Sequence, residues 1–356
     1  MEGGSFSGDG ASDHPGSRLA IDHFAKVLCP ARGHEVRQKA RTGLMLSALM
    51  SLWPIALHGC GMQSLPPAPL KPGDYSRTIE HDGLTREYLL HVPPQYDGSQ
   101  PLPLVLMFHG GFGTADDAGR RYGWREKADA EGFFAVFPQG IGLAPTWNAV
   151  HCCGAALRSN VDDVGFVMAL LDSLSAELRI DATRIYAAGM SNGAMFCHRL
   201  AAERGDRIAA IAPVAGTIGG QADATSPVEK PVTPKQPVAV IIFHGVDDQH
   251  VLFLGGPSIK GDVPGRVDIS AEESAQFWAQ ANGTATQPTR VDLANGMVHR
   301  STWADPTGVA DVILYAVEGQ GHAWPGGVPR VGGDPPSRAI DATAVAWDFF
   351  MAHPKR

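Results

Sequence analysis

The chain has 356 residues, of which 44% are hydrophobic and 19% charged, so it can bury a sizeable core in one large domain or two smaller ones. Its formal net charge of −8 leaves no strongly basic surface, which argues against nucleic acid as a partner. No apolar run is long enough to predict a membrane span.

The first feature along the chain is a predicted export signal. Residues 1–40 are polar and irregular, and Arg37, Lys39 and Arg41 then precede the short apolar stretch Leu44–Leu57. A basic segment followed by such a stretch is typical of a signal that directs a protein out of the cytoplasm. We therefore expect residues 1–59 to be an N-terminal extension with an export signal, and the mature protein to be secreted or held in the cell envelope.

The end of this signal contains a candidate lipidation site, Cys60. Leu57 at −3 and Gly59 at −1 resemble a bacterial lipoprotein box, whereas His58 at −2 is atypical of one. Attachment to a membrane through a lipid on Cys60 and ordinary cleavage without a lipid both stay open. The Pro-rich segment 60–75 is predicted to be a tether, and residues 76–356 to form a single folded domain.

Apolar strands alternate with helices through the rest of the chain. Turns at Asp82-Gly83 and Asn295-Gly296 predict two hairpins. Buried strands are predicted at Leu102–Phe108, Phe133–Phe137, Arg184–Ala188, Ile208–Val214, Val238–Phe243 and Val312–Val317, and helices at Asp116–Glu131, Asp162–Leu178, Ala194–Arg204, Ala271–Asn282 and Ile340–His353. This order predicts an α/β fold with a mainly parallel sheet covered by helices on both faces.

The motif most informative about function is Gly189-Met190-Ser191-Asn192-Gly193. It follows a predicted strand and precedes a predicted helix, which is the context that makes a G-x-S-x-G match a nucleophile elbow. A chance match is common in a chain with 42 glycines, so the pentapeptide needs this context. We interpret Ser191 as a nucleophile exposed above the sheet.

A serine hydroxyl needs a base, and the base needs an acid to orient it. In folds with this elbow the acid follows a late strand, and a histidine lies in the last strand-to-helix loop. His322 occupies that loop, in a glycine-rich segment, and is the predicted base. The acid is Asp248 or its neighbour Asp247, of which we favour Asp248.

A developing oxyanion needs N–H donors. The Asn192 N–H, at the start of a helix, is one candidate. The loop His109-Gly110-Gly111-Phe112-Gly113 follows the first buried strand and matches the HGG-type loop of esterases, so the N–H of Gly111 or Phe112 is the other. His109, Trp147 and Trp324 are predicted to line the substrate pocket, with a core position as the alternative for the tryptophans.

The cysteines give no metal site. Cys152 and Cys153 are adjacent and Cys197 lies behind Ser191, but no Cys or His pair has zinc spacing, and we expect neither a metal nor another cofactor. Cys152 or Cys153 pairs with Cys197 or with its neighbour, or these thiols are free. The sequence does not choose among these states.

Taken together, the motifs resemble the poly(3-hydroxybutyrate) depolymerase-like esterases, which share the α/β-hydrolase fold with feruloyl and acetylxylan esterases. The resemblance covers about residues 75–353. It rests on six segments in one order: His109-Gly110-Gly111, Trp147-Asn148, Val161-Asp162-Asp163-Val164-Gly165-Phe166, Gly189–Gly193, His244-Gly245 with Asp248, and Gly321-His322-Ala323-Trp324-Pro325-Gly326. It implies an exported serine carboxylesterase that acts without a cofactor, and it assigns the triad acid to Asp248.

Several functions fit this resemblance. We favour a feruloyl or other plant-polysaccharide ester as the substrate, and a polyhydroxybutyrate polymer or oligomer is the alternative. A peptidase with the same triad is less well supported, because the chain leaves no room for an extra propeller or lid domain. A non-catalytic envelope protein that uses the fold for binding would have a degraded triad or oxyanion loop, and both are intact here.

Overall fold

A ten-stranded mixed sheet lies at the centre of the part of the chain that the computed structural model describes, residues 69–260 and 263–356. The strands are β1 (Gly73–His81), β2 (Leu84–Val92), β3 (Leu102–Phe108), β4 (Phe134–Pro138), β5 (Ile180–Met190), β6 (Ala210–Val214), β7 (Gly220–Gln221), β8 (Ala239–Gly245), β9 (Gly256–Pro257), β10 (Val267–Asp268), β11 (Thr289–Leu293), β12 (Val298–Trp303) and β13 (Val312–Val317). The helices are α1 (Ala115–Arg121), α2 (Trp124–Glu131), α3 (Gly154–Arg158), α4 (Asp163–Glu177), α5 (Asn192–Arg204), α6 (Ala271–Asn282) and α7 (Ala342–Ala352). The predicted export signal and Cys60 lie outside the described residues.

The sheet has the order β1-β2-β4-β3-β5-β6-β8-β13-β12-β11. The central strands from β4 to β13 pair in parallel, and the hairpins β1–β2 and β11–β12 add antiparallel strands at the two edges. Both predicted hairpins and the mainly parallel sheet are thus confirmed, and the fold is that of an α/β hydrolase. No helix in the described ranges is both long and apolar enough to cross a bilayer.

Both faces of the sheet are covered, which explains why its central strands are apolar throughout. In β3, Leu106 and Phe108 belong to the core beneath α4, α5 and α6, whereas Val105 and Met107 belong to the core beneath α1, α2 and α7. Successive side chains of a strand point to opposite faces, so an unbroken apolar run supplies both cores.

Four details differ from the sequence-based predictions. The helix predicted at 116–131 is two helices, α1 and α2, because the chain turns at Gly123, where φ is +73°. The strand β1 begins at Gly73, inside the segment predicted as tether. Residues 219–237 and 254–270, where the sequence predicts neither a strand nor a helix, contribute a small second sheet of order β7-β10-β9. The helix predicted from Asp162 begins one residue later, because Asp162 is the N-cap of α4 and Asp163 is buried against Arg86.

The topology gathers the predicted site residues at one edge of the sheet. The strands β3, β5, β8 and β13 run parallel, so their carboxyl ends meet at the same edge. His109 follows β3, Ser191 follows β5, Asp248 follows β8 and His322 follows β13. In open α/β sheets this edge is where ligands bind.

Candidate active site

The turn at Ser191 is a sharp connection between β5 and α5. Ser191 has φ +53° and ψ −122°, a conformation that L-residues rarely adopt and that costs about 1–3 kcal/mol. Two glycines make the turn possible. A Cβ on Gly189 would collide with the carbonyl of Gly193, and a Cβ on Gly193 would stand 2.5 Å from the carbonyl oxygens of Phe108 and His109. Glycine is therefore needed for steric reasons at both Gly189 and Gly193.

The structure brings the predicted base and acid together. The His322 Nδ1 donates to the Asp248 Oδ2 over 2.7 Å, and the Asp248 carboxylate is buried. Asp247 is exposed, and its backbone N–H donates to the Gln320 carbonyl. Of the two carboxylates that the sequence leaves open, only Asp248 contacts His322.

The charge of Asp248 is stabilised by its surroundings. Burial alone raises the pKa of this carboxyl group, but the charge and hydrogen bond of His322 oppose that effect. His244 and the Val251 amide also favour the ionised form, and the net pKa is below its ordinary value. The Oδ1 atom accepts from the backbone N–H groups of His250 and Val251, at 2.8 and 3.0 Å. The carboxylate is thus held as an anion in a fixed orientation.

Two further residues position His322, and sequence reasoning missed both. The backbone N–H of His322 donates to the Asp334 Oδ2 over 2.7 Å. The His250 ring lies against the His322 ring, with 4.8 Å between centroids. Asp334 belongs to no motif and follows His322 by 12 residues in an irregular loop, so nothing in the sequence singles it out. His250 lies beside the acid, but its contact with His322 depends on the conformation of both loops.

The predicted oxyanion donors lie around Ser191, with one correction. Asn192 is the first residue of α5, so its N–H is among those without a partner inside the helix. The Phe112 N–H donates to the Pro145 carbonyl over 2.8 Å, which removes Phe112 as a donor. Gly111 is then the candidate in this loop. Its neighbour Gly110 packs closely against the nucleophile turn, since an added Cβ would be 3.3 Å from the Ser191 Cβ.

Trp147 lines neither cavity beside Ser191 and takes the core position, which is the alternative that the sequence leaves open. Its side chain is fully buried, stacks on Phe196 and donates from Nε1 to the His109 carbonyl over 3.0 Å. The Asn192 side chain bonds both the N–H and the carbonyl of Trp147, at 2.7 and 3.0 Å. Trp147 therefore supports the oxyanion loop from below.

His109 is also more structural than the sequence suggests. Its Nδ1 donates to the Gly110 carbonyl and its Nε2 accepts from the Gly140 N–H, at 2.8 and 2.9 Å. Burial lowers the pKa of His109 to about 4, so the ring is neutral at pH 7. It contributes to a cavity wall, but only 1% of its surface is exposed. Its main effect is to fix the loop that carries Gly111.

Two cavities meet at Ser191 and His322. The larger, about 360 Å³, is bounded on one side by Tyr122 and Trp324, whose rings stack at 4.7 Å, and by the loop 328–336. Trp324 therefore lines a cavity beside Ser191. The smaller cavity, about 170 Å³, lies on the side of Asn192. An ester bound at Ser191 can extend into both.

The cysteines divide into a bonded pair and a buried thiol. Cys152 and Cys153 form a disulfide with each other, which is one of the states that the sequence leaves open. Cys197 is a free, buried thiol, and burial raises its pKa well above the ordinary value. In residues 69–260 and 263–356, no three His, Cys, Asp or Glu side chains converge on a common point suited to a metal ion.

Comparison with known proteins places this site in a family. Residues 86–260 match the family model described as esterase PHB depolymerase. NocK of Nocardia uniformis subsp. tsuyamanensis, named as an esterase, is 30% identical and the match covers 87% of this chain and 98% of that protein. Feruloyl esterase C of Emericella nidulans is 25% identical over 75% of this chain and 84% of its own. The fold resembles that of acetyl xylan esterase from Aspergillus awamori, with a TM-score of 0.54, 14% identity, and coverage of 79% of this chain and 99% of that one.

The fold and these relatives define an α/β-hydrolase esterase. The chain belongs to the esterase PHB depolymerase family. It is a carboxylic ester hydrolase, as the sequence predicts.

Proposed function

We propose that the protein cleaves esters through an acyl-enzyme on Ser191. The Ser191 hydroxyl attacks the ester carbonyl, and His322 accepts its proton and delivers it to the leaving alcohol. Asp248 keeps the imidazole in the required tautomer and stabilises the imidazolium. The N–H groups of Gly111 and Asn192 donate to the oxyanion. Water, activated by His322, then attacks the acyl-enzyme and releases the acid.

The observation that carries this mechanism is the bond of 2.7 Å from the His322 Nδ1 to the Asp248 Oδ2 at a cavity that Ser191 also lines. A histidine whose Nδ1 donates to a buried carboxylate presents a basic Nε2 to its other side. The strained turn presents Ser191 at the same cavity. Together these features supply the base and the nucleophile that acyl transfer requires.

The test compares wild type with Ser191→Ala on methyl ferulate, acetylated xylan and 3-hydroxybutyrate oligomers, with acid release as the readout. Ser175→Ala is the matched control, because Ser175 lies in α4 and its hydroxyl donates to the Leu171 carbonyl of the same helix. We expect Ser191→Ala to lose all measurable activity and all labelling by a fluorophosphonate, and Ser175→Ala to keep both. Activity that survives in Ser191→Ala would disprove the nucleophile.

For the substrate we propose plant-polysaccharide esters first, since named relatives are feruloyl and acetylxylan esterases. At about 30 Å³ per water-sized group, the larger cavity holds roughly twelve non-hydrogen atoms, which is comparable to one sugar residue on the alcohol side of such an ester. The second candidate is a 3-hydroxyalkanoate ester, which the Arg266 side chain in the wall of the smaller cavity favours. The three substrates named above separate these candidates.

We also propose that the protein is exported, and that Cys60 is its lipid attachment site. The basic and apolar segments before Leu57 support export, and the lipoprotein-like sequence supports the lipid. Mass spectrometry of the mature N-terminal peptide would show a diacylglyceryl mass on Cys60, which Cys60→Ser would abolish. An unmodified Cys60 in the mature protein would disprove the lipid but leave export intact, and an uncleaved precursor would disprove both.

A further inference from the structure

The smaller cavity beside Ser191 contains a buried cation, Arg266. The side chain is only about 5% exposed, yet it forms part of the cavity wall together with Thr146 and Cys153. Cations are rarely buried unless their donors are satisfied. The acceptors of the guanidinium therefore determine what else it can bind.

Two of its three nitrogen atoms are well satisfied. The Nε donates to the Asp268 Oδ2 over 3.0 Å, and the Nη2 donates to the His250 carbonyl over 2.8 Å. The Nη1 has only the sulfur atoms of the Cys152–Cys153 disulfide as acceptors in the described residues, at 3.6 and 3.8 Å. Sulfur is a weak acceptor. The Nη1 can therefore donate to an oxygen atom that enters the cavity.

The charge balance indicates which kind of oxygen this is. Asp268 is buried and already neutralises Arg266, and His151 also contacts the Asp268 carboxylate, over 3.2 Å. A carboxylate or phosphate at the Nη1 would add a negative charge that no second buried arginine balances, because Arg330, the other arginine of the cavity wall, is exposed to solvent. A hydroxyl, ether or carbonyl oxygen would satisfy the Nη1 donor without that cost.

The position of the cavity indicates which part of the ester enters it. Gly111 and Asn192, the proposed oxyanion donors, both line the smaller cavity, whereas Asn192 does not line the larger one. The carbonyl oxygen bound by these donors belongs to the acyl group. We therefore assign the acyl chain to the smaller cavity and the alcohol to the larger.

We propose that Arg266 determines acyl specificity, by donating from Nη1 to a neutral oxygen on a short acyl chain. At about 30 Å³ per water-sized group, the cavity holds roughly six non-hydrogen atoms. This matches an acyl group such as 3-hydroxybutyryl and is too small for a feruloyl group. The inference rests on the proposed acyl-enzyme mechanism at Ser191 and narrows its substrate class.

The test uses two ethyl esters whose acyl groups have the same shape. Ethyl 3-hydroxybutyrate offers the hydroxyl, and ethyl 3-methylbutyrate replaces it with a methyl group. We expect wild type to prefer the hydroxy ester, and Arg266→Lys to reduce the ratio of the two kcat/KM values about tenfold, the effect of a lost hydrogen bond to a charged donor. Lysine keeps the charge opposite Asp268 but lacks the Nη1 donor. An unchanged ratio would overturn the proposal.

Two controls show whether Arg266→Lys acts on acyl specificity. One excludes general structural damage, and the other excludes the opposite orientation of the ester in the two cavities. Arg86→Lys alters another buried arginine, which pairs with Asp163 over 2.7 Å and lines neither cavity beside Ser191, and it should leave the ratio unchanged. An equal change in Arg86→Lys would overturn the proposal. The esters 2-methoxyethyl butyrate and butyl butyrate make a matched pair on the alcohol side, because they differ only by an ether oxygen in place of a methylene group. If Arg266→Lys reduced the kcat/KM ratio of this pair and left the ratio of the acyl pair unchanged, the assignment of the acyl chain to the smaller cavity would be overturned.

A second variant tests the cavity without altering the ion pair. Val263 lines the smaller cavity and is half-buried, so Val263→Phe should fill it. We expect kcat/KM for both acyl esters to fall at least tenfold while a fluorophosphonate still labels Ser191. Unimpaired hydrolysis of both esters by this variant would overturn the assignment of the acyl chain. Activity in Ser191→Ala would instead refute the acyl-enzyme mechanism itself, so the two failures are distinguishable.

Discussion

Asp248 and His322 are 74 positions apart in the chain and are joined by a hydrogen bond of 2.7 Å between Oδ2 and Nδ1. The strands β8 and β13, which precede them, are parallel neighbours in the sheet. The carboxyl ends of these two strands therefore hold the proposed acid and the proposed base side by side. Asp247, next to the acid in sequence, is exposed and takes no part in this contact.

This geometry predicts opposite outcomes for the two neighbouring carboxylates. Asp248→Asn should reduce kcat by about 10³–10⁴-fold, because an amide no longer stabilises the imidazolium or fixes its tautomer. Asp247→Asn should remain within about threefold of wild type, as surface substitutions usually have small effects. Steady-state acid release with a saturating ester measures kcat for both variants. Equal losses in the two variants would contradict the assignment of the acid.

A second prediction concerns the glycines around the nucleophile. Gly193→Ala should abolish activity, because its Cβ would stand 2.5 Å from the carbonyl oxygens of Phe108 and His109 and displace the oxyanion loop. Gly111→Ala is the matched control. There the new Cβ meets the Asn192 side chain at 3.8 Å, an ordinary contact, and the backbone N–H is kept. Ester hydrolysis and thermal unfolding of both variants test the predicted loss. An active Gly193→Ala would contradict the steric argument.

The sequence predicts the scaffold well because local patterns determine it. The apolar run of β3 supplies both cores, the turn at Asp82-Gly83 determines the first hairpin, and the glycines around Ser191 mark the elbow. These features depend on neighbours in the chain. The assignment of Asp248 over Asp247 came from the family resemblance, and in the structure the contact between the β8 and β13 loops accounts for it.

The parts that the sequence could not predict depend on how loops fold. Trp147 looks like a pocket residue, but Asn192 draws its backbone inward and buries the ring. The Phe112 N–H is lost as a donor because Pro145, far along the chain, lies opposite it. Arg266 has no motif at all, and only the folding of its loop brings it close to Ser191. Contacts between irregular segments leave no periodic trace in the sequence.

Two buried histidines, His109 and His198, make the free energy of unfolding depend on pH. Burial lowers the pKa of His109 to about 4 and that of His198 to about 3, from an ordinary value of 6.5. The unfolded chain therefore binds protons first as the pH falls. The free energy of unfolding is therefore at its full value above pH 6.5. It decreases between about pH 6.5 and 4, by up to about 1.4 kcal/mol per pH unit for each histidine. Urea unfolding at pH 7, 6, 5 and 4.5 measures this decrease.

His198→Gln provides the control for that dependence. The His198 Nδ1 accepts from the Trp278 Nε1 over 2.9 Å, and a glutamine oxygen can accept the same hydrogen bond without titrating. The variant should be less stable at pH 7 because its shape differs, but its free energy of unfolding should fall less steeply below pH 6.5. The pKa of Asp248 is lowered from 3.8, so its own contribution is lost only at lower pH. A slope identical to wild type would contradict the role of His198.

The last prediction concerns Asp334, which we interpret as a positioning residue for His322. Its Oδ2 accepts the His322 backbone N–H at 2.7 Å, and it approaches so closely that a Cβ on Gly321 would stand 2.5 Å from that oxygen. Asp334→Ala should lower kcat about tenfold with little change in KM, since a partly buried N–H loses its acceptor and His322 is held less firmly.

Two variants separate this hydrogen bond from the charge of Asp334. Asp334→Asn keeps an oxygen acceptor and should stay within about threefold of wild type. Gly321→Ala keeps the carboxylate but displaces it, so it should lose about as much kcat as Asp334→Ala. If Asp334→Asn instead behaves like Asp334→Ala and shifts the acidic limb of the pH–kcat profile, the charge on Asp334 acts on His322 and the hydrogen bond to its backbone is not the cause.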